Sequence, residues 1–328
     1  MMRPNLRVFL AATLFLSGAA QAQAPAPAQG FPNKPIRMVV TAAAGGITDI
    51  MARIMAEQIV RTLGQPMVVE NRPGAGGNIA VAHVAKAPAD GYTLVIVNVG
   101  NAAIVRWISK ELPFDPTTDL VGVAPVGEVP SLVAIHDKLP VKTLKEFIDY
   151  ARANPGAVNY GSAGTGTMPH LAGDLLGHLT GAKMVHVPYK GGGPAAVDLG
   201  AGRIQLSLLG IGSIQAQLQA GQVRVLAVAA KQRLVALPAV PTFEEAGLTG
   251  YEVTNWFGVQ APRGTPREAI QILNSHIGRI FDNPAVVQRF ADAGALPMRE
   301  SAEEFQKRIL SDDAKWRDIV RNAGVKSE

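Results

Sequence analysis

The stretch Ile36-Arg37-Met38-Val39-Val40-Thr41-Ala42-Ala43-Ala44-Gly45-Gly46-Ile47-Thr48-Asp49 passes from an apolar run, through small residues, to Met51, Met55, Ile59 and Leu63. A short continuous apolar run reads as a buried strand, and apolar residues recurring every three to four positions read as one face of a helix. The stretch is therefore strand, loop, helix. The same alternation continues down the chain: strands are expected at 67–69, 93–97, 132–135, 158–160, 184–187, 204–208 and 223–228, with helical stretches at 143–153, 168–179 and 214–218. Alternating strands and helices place the chain in the α/β class, with largely parallel sheets expected.

Chain length and the ends supply the next constraint. Arg3 and Arg7 precede an apolar run from Val8 to Ala20, and small residues alternate through Ala20, Ala22 and Ala24. Spanning a bilayer takes about 20 apolar residues; this run is shorter and has the layout of a signal peptide. Residues 1–22 are read as that peptide, cleaved after Ala22, and the Ala/Pro alternation of 23–31 as a solvated tether. The remaining length is large for a single core, so two domains are expected. Apolar segments at 132–135 and 257–260 look like crossing points, which assigns 32–130 and 258–328 to domain 1 and 131–257 to domain 2. Helices expected at 266–282, 284–293 and 302–322 then complete domain 1.

Composition excludes several functions. The formal charge of +5 falls to about +3 once Arg3 and Arg7 are removed, and the remaining basic residues are scattered. Scattered charge is no phosphate-tracking stripe, so nucleic acid is not an expected partner. The absence of cysteine from the 328 residues removes disulfides, thiolate metal sites and thiol catalysis. The six histidines, at 83, 136, 170, 178, 186 and 276, show no close metal-ligand spacing. No metal or cofactor is expected.

In open α/β sheets ligands bind beyond the carboxyl ends of the strands, which directs attention to the loops after Val40, Val97, Tyr160 and Leu208. Thr41 to Asp49 carries two glycines and no basic residue; backbone N–H groups at a helix start favour an anion there. The same composition suits a plain tight turn capped by Thr48 or Asp49, and capping is the role assigned to Asp49. The second loop, Tyr160-Gly161-Ser162-Ala163-Gly164-Thr165-Gly166-Thr167-Met168-Pro169-His170, repeats the design with three hydroxyls. Its composition is that of a carboxylate cradle. The serine lacks the flanking glycine spacing of a hydrolase elbow, and no Gly-Lys-Ser/Thr follows for a phosphate loop. A hydrolase using Ser162 and His170 is the competing class, but no acid is evident to orient the histidine; His170 is read as a first-turn residue bonding backbone or ligand. Gly191-Gly192-Gly193-Pro194 reads as a turn before another helix.

Several ordered motifs resemble one family. Gly45-Gly46-Ile47-Thr48-Asp49, Val69-Glu70-Asn71-Arg72-Pro73-Gly74-Ala75-Gly76-Gly77-Asn78, Ala85-Lys86-Ala87-Pro88-Ala89-Asp90-Gly91-Tyr92, the Ser162 to Gly173 segment, His186-Val187-Pro188-Tyr189-Lys190-Gly191 and Pro238-Ala239-Val240-Pro241-Thr242 closely resemble the Bug family of extracytoplasmic solute receptors of tripartite tricarboxylate transporters. The resemblance covers the chain from about Phe31 to the C-terminal helix. It implies a two-lobed type II periplasmic-binding-protein fold, a periplasmic monomer, membrane permease subunits as partners, and a carboxylate ligand closed between the lobes. Carried over by position, the ligand contacts are Thr41, Ala43, Gly45, Gly46, Thr48, Asn98, Ser162, Gly164, Thr165, Thr167 and His170, with a side wall after Leu206 that includes Leu209.

Departures from the family pattern bear on the ligand. Ala42, Ala43 and Ala44 stand where a bulky aromatic and prolines are common, which widens the site. Leu208-Leu209-Gly210 replaces a segment that commonly carries an acid, so a partner for an amino group is lost. A larger, flatter carboxylate, terephthalate above all, is the expected cargo, its apolar body stabilised by burial. The alternatives are an aliphatic di- or tricarboxylate, or a receptor that signals to a sensor protein instead of feeding a permease.

Overall fold

A computed structural model describes residues 30–109, 111–251 and 253–323. The segment read as a signal peptide, and all of the tether but Gly30 and Phe31, lie outside the described residues. Phe31, the last residue of the expected tether, packs edge-on against Tyr92, their ring centres 4.9 Å apart.

The chain opens with β1 (Ile36–Val40), α1 (Ile47–Leu63), β2 (Met67–Asn71), α2 (Asn78–Ala85) and β3 (Thr93–Asn98). A π-helical turn at Gly100–Ile104 leads into α3 (Val105–Ile108), followed by β4 (Leu120–Pro130) and β5 (Leu132–His136). Next come α4 (Leu144–Ala153), β6 (Asn159–Ser162), α5 (Met168–Thr180), β7 (Val185–Pro188), α6 (Gly192–Gly200), β8 (Leu206–Ser207), α7 (Ile211–Gln219) and β9 (Val223–Val228). The last part holds β10 (Thr254–Pro262), α8 (Arg267–Arg279), α9 (Pro284–Asp292), β11 (Leu296–Pro297) and α10 (Ala302–Ala323).

The strands form two sheets, ordered β11-β4-β10-β3-β1-β2 and β7-β6-β8-β5-β9. β4 lies in the first and β5, one residue later, in the second, so the backbone crosses at Ser131; it returns between β9 and β10. Each sheet with its helices makes one lobe.

The sheets are mixed, which corrects the expectation of largely parallel ones. β1 runs parallel to β2 and β3, and β6 parallel to β7 and β8. The strands that join the lobes run against their neighbours: β10 is antiparallel to β3 and β4, and β5 to β8 and β9. A chain that crosses between lobes enters each sheet from the opposite end to a βαβ crossover, which reverses the strand.

The periodicity of α1 is the one its sequence dictates. Met51, Met55 and Ile59 are fully buried against Ile36, Met38 and Val40 of β1, each contributing about 1.5–3 kcal/mol by burial. Gly64, with φ 76°, ends the helix in the left-handed conformation and donates to the Val60 carbonyl. A second cluster spans both lobes, joining Trp256, Phe305 and Trp316 to Tyr160, Leu171 and Leu206. Through it α10 packs on α5, so the lobes share core as well as crossing strands.

Candidate functional site

Pairing of β1 with β3 in parallel register, Val40 beside Ile96, brings Thr41 and Asn98 to the same sheet end. Thr41 is buried and its hydroxyl donates to the Ile96 carbonyl at 3.2 Å. Ala43, Ala44 and Gly45 are exposed at the tip of the first loop, and Thr48 is buried in the first turn of α1. The N-cap of α1 is Gly46, and no side chain caps it. Asp49 serves the helix start differently from a cap residue: its Oδ2 accepts the Gly45 N–H at 2.9 Å and Arg53 Nε at 3.0 Å, while Oδ1 accepts Asn71 Nδ2 at 2.9 Å. Asn71 also donates to the Ala42 carbonyl at 3.0 Å, so the loop is tied at both ends. Burial pushes the Asp49 carboxyl up, but its bonds from Arg53, Gly45 and Asn71 outweigh that and hold it below the ordinary range.

Asn98 Oδ1 accepts the Asn101 N–H at 3.2 Å, starting the helical turn whose π-bulge follows. Asn101, itself buried, donates through Nδ2 to the Gly76 carbonyl at 2.8 Å and Asn78 Oδ1 at 3.1 Å. Sequence reasoning passed over Asn71 and Asn101, which hold the first lobe's end of the site together.

The second loop leaves β6 beside β8, with Gly161 opposite Ser207. Ser162 is fully buried. Its Oγ accepts the Gly164 N–H at 3.1 Å and lies 3.0 Å from the Gly164 carbonyl oxygen and 2.7 Å from His186 Nε2. The Thr167 hydroxyl donates to the same Gly164 carbonyl at 2.6 Å. Thr165 is exposed at the tip, and Thr167 is the N-cap of α5 with no side-chain cap bond. Gly166 has φ 76°, and a Cβ built on it would lie 2.6 Å from Ile108 Cδ1 of α3, so here the second loop rests on the first lobe.

His170 is buried, and its Nδ1 accepts the Gly166 N–H at 3.0 Å. That bond places the ring proton on Nε2, which faces Asp174 Oδ2 at 3.2 Å. The Tyr160 hydroxyl donates to the other Asp174 oxygen, Oδ1. An acid does orient this histidine, contrary to the sequence reading; it sits four residues on, one helical turn away, where the spacing could have shown it. The serine's partner is His186 rather than His170. This is no hydrolytic dyad in form, since Ser162 is sealed from solvent and its hydroxyl is engaged within its own loop.

The structure thus gathers Thr41, Ala43, Gly45, Gly46, Thr48 and Asn98 at one sheet end, and Ser162, Gly164, Thr165, Thr167 and His170 at the other. Leu209 stands apart: its side chain lies in the second lobe's core with Leu132, Ile204 and Ile214, and its carbonyl accepts the Leu132 N–H at 3.0 Å. A surface cavity of about 410 Å³ between α8 and the start of α10, lined by Ala124, Asn274, Arg299 and Glu304, is reached by none of these loops. The Asn274 amide there is already given to the Val123 and Glu300 carbonyls, so the loops, with their helix starts, are the better site.

Comparison with known proteins identifies the family. Residues 51–325 match the model of the tripartite tricarboxylate transporter family receptors. The chain is 36% identical to the protein BugT of Bordetella pertussis over 98% of its own length and 99% of that protein's. It is similar to a solved structure from R. palustris with adipate, at 36% identity and TM-score 0.82, covering 90% of this chain and 99% of the other. It also resembles MatC from Rhodopseudomonas palustris with bound malate, at 34% identity and TM-score 0.79, covering 88% and 100%. The two-lobed architecture, the paired strand-end loops and these matches together place the chain in the tripartite tricarboxylate transporter receptor family, as a solute-binding receptor and not an enzyme.

Proposed function

We propose that this receptor works in the periplasm, captures an organic dicarboxylate between its lobes, and delivers it as a monomer to the membrane permease of a tripartite transporter. The moving bodies are residues 32–130 with 258–328, and residues 131–257. One observation carries the reading: α1 and α5 both begin at strand ends with N-caps, Gly46 and Thr167, that make no side-chain cap bond. Helix-start N–H groups favour an anion, here those of Ile47 and Thr48 in α1 and of Met168 in α5, whose next residue Pro169 has none, and a ligand with two carboxylates meets one helix in each lobe. Thr165 at the second tip and the N–H groups of Ala43, Ala44 and Thr48 at the first are the proposed direct contacts, since Gly45 and Gly46 give theirs to Asp49 and the Ala43 carbonyl. Ser162 and His170 contribute by shaping the loop.

The specific cargo proposed is an aromatic dicarboxylate such as terephthalate. Ala42, Ala43 and Ala44 leave room for a flat body, and Leu208 and Leu209, both buried, offer no acid to an amine. A linear aliphatic dicarboxylate is the second reading, favoured by the similarity to the R. palustris structure with adipate. Titration calorimetry against terephthalate, adipate, malate, benzoate and aspartate separates them. Terephthalate binding at least about tenfold tighter than benzoate is expected, the second carboxylate adding about 1.5 kcal/mol or more. Tight aspartate binding refutes the aromatic cargo without an amine, and equal affinity for benzoate and terephthalate refutes the two-cradle reading.

A further inference from the structure

Two imidazoles stack beneath the second loop. The rings of His170, from α5, and His186, from β7, are 3.8 Å apart at an interplanar angle of 18°. His186 also lies against the Tyr160 ring at 5.0 Å. Each histidine holds a different part of the same loop. His170 Nδ1 accepts the Gly166 N–H at 3.0 Å, and His186 Nε2 meets Ser162 Oγ at 2.7 Å, the hydroxyl that in turn accepts the Gly164 N–H. Between these two anchors lie Gly164, Thr165 and Gly166, the part of the loop that faces the ligand in the function proposed above.

We infer that His186, which stands outside the ligand-facing loops, is a positioning residue for the second loop: it clamps the loop through Ser162 and, by stacking on His170, fixes the ring that clamps Gly166. The inference rests on the dicarboxylate-receptor reading only for its effect on affinity; the clamp itself is a property of the ligand-free loop.

The clamp requires neutral rings. A proton added at His170 Nδ1 faces the Gly166 N–H, turning an acceptor into a second donor and breaking that bond. A charge on His186 sits 3.8 Å from the neighbouring imidazole in a half-buried site. The titratable groups facing the pair are Asp174 on α5, which takes the His170 Nε2 proton, and Tyr160 on β6, whose hydroxyl is donated to Asp174. Tyr251 approaches Tyr160 and donates its own hydroxyl to the Ala172 carbonyl at 2.9 Å. Tyr189 and its partner Asp198 lie on the opposite face of β6, where Gly161 meets Tyr189 and Ile204. Burial, with each ring's proximity to the other added, pushes the His186 imidazole down to about 4, and burial lowers His170 despite Asp174. Both rings are therefore neutral at ordinary pH, and the clamp loosens on the acid side.

Two variants test this. His186→Phe keeps an aromatic ring on His170 and removes the nitrogen from Ser162; His186→Gln keeps an amide for Ser162. Amide hydrogen exchange of residues 163–167 is followed without ligand, and affinity for adipate and terephthalate is measured by calorimetry, both from about pH 3.5 to 8 so that the acid limb near 4 is covered. In His186→Phe, loop exchange is expected to accelerate about tenfold while α1 and α8 exchange as in the wild type, and affinity to fall about tenfold. His186→Gln is expected to recover part of both losses and to flatten the acid fall in affinity. Loop exchange and pH profiles that superimpose on the wild type in both variants overturn the inference, as does acceleration spread uniformly over the chain without rescue by Gln. A wild type that binds neither acid refutes the proposed function; loop-specific exchange in His186→Phe still supports the clamp.

Discussion

Asp49→Asn isolates what holds the first loop. The carboxylate is 2% exposed and receives three donors: Gly45 N–H, Arg53 Nε and Asn71 Nδ2. An asparagine has one acceptor oxygen, so its NH₂ group must face either the Gly45 N–H and Arg53 or the Asn71 amide. At least one charge-assisted bond is lost, about 1.5–3 kcal/mol. The ion pair adds little, because the Arg53 side chain is 54% exposed and such i,i+4 pairs contribute about 0.3–0.5 kcal/mol. Loss of a negative charge from the first turn of α1 costs a further ~0.3–1 kcal/mol. Together the variant should lose about 2–4 kcal/mol by urea denaturation. Arg53→Met should lose under about 1 kcal/mol, since it leaves Asn71 and Gly45 in place. The pH dependence has a definite sign. A carboxyl held below its unfolded value contributes stability above the unfolded pKa, 3.8, and this is lost as pH falls through the lower folded value. Asp49→Asn should therefore be less sensitive to acid below about pH 4 than the wild type. Equal losses in the two variants, or an unchanged acid limb in Asp49→Asn, would show that the exposed ion pair rather than the buried bond network supports the loop.

Three further outcomes follow from the second lobe. Gly173→Ala places a Cβ 2.3 Å from the Tyr160 ring, which is 2% exposed and cannot swing aside, so the variant should lose about 1–3 kcal/mol by denaturation. Gly166→Ala puts a side chain at φ 76° and against Ile108; it should cost about 1–2 kcal/mol of stability and weaken dicarboxylate binding measured by calorimetry. Wild-type thermal stability should fall between pH 6.5 and about 4, the window in which the unfolded chain protonates His186 and the folded chain does not; the slope approaches ~1.4 kcal/mol per pH unit. In His186→Gln that slope should shrink.

The alternation of apolar runs and helical faces made the α/β class legible, and the strand at Ile36–Val40 and the helix after it coincide with the pattern that announced them. β4 was not legible. Its sequence, LVGVAPVGEVP, carries two glycines and two prolines, signals that argue against a central strand. The structure accommodates them with register shifts against β10, where Pro125 pairs with Gly258 after a break at Phe257. Bulges of this kind depend on the partner strand, which local sequence does not name. The reversal of β5 and β10 was hidden for the same reason, since strand direction follows from which lobe the chain is entering.

At the site, the loops and their small residues were readable because a close backbone approach to a ligand leaves a local composition. Their supports were not, and the difference is one of sequence distance. Asp174 lies one helical turn from His170 and was within reach of spacing rules; His186 is 24 residues from Ser162 and meets it because β7 joins β6 in parallel register, His186 beside Tyr160. Asn71 reaches Asp49 the same way, across the β1–β2 pairing, from 22 residues away. In both lobes the strand next to the loop-bearing strand contributes a polar side chain that fixes the loop from below. A ligand-facing loop rich in glycine and alanine has few side chains with which to hold its own shape. The binding residues can therefore be small only because a neighbouring strand carries the polar group that keeps them in place.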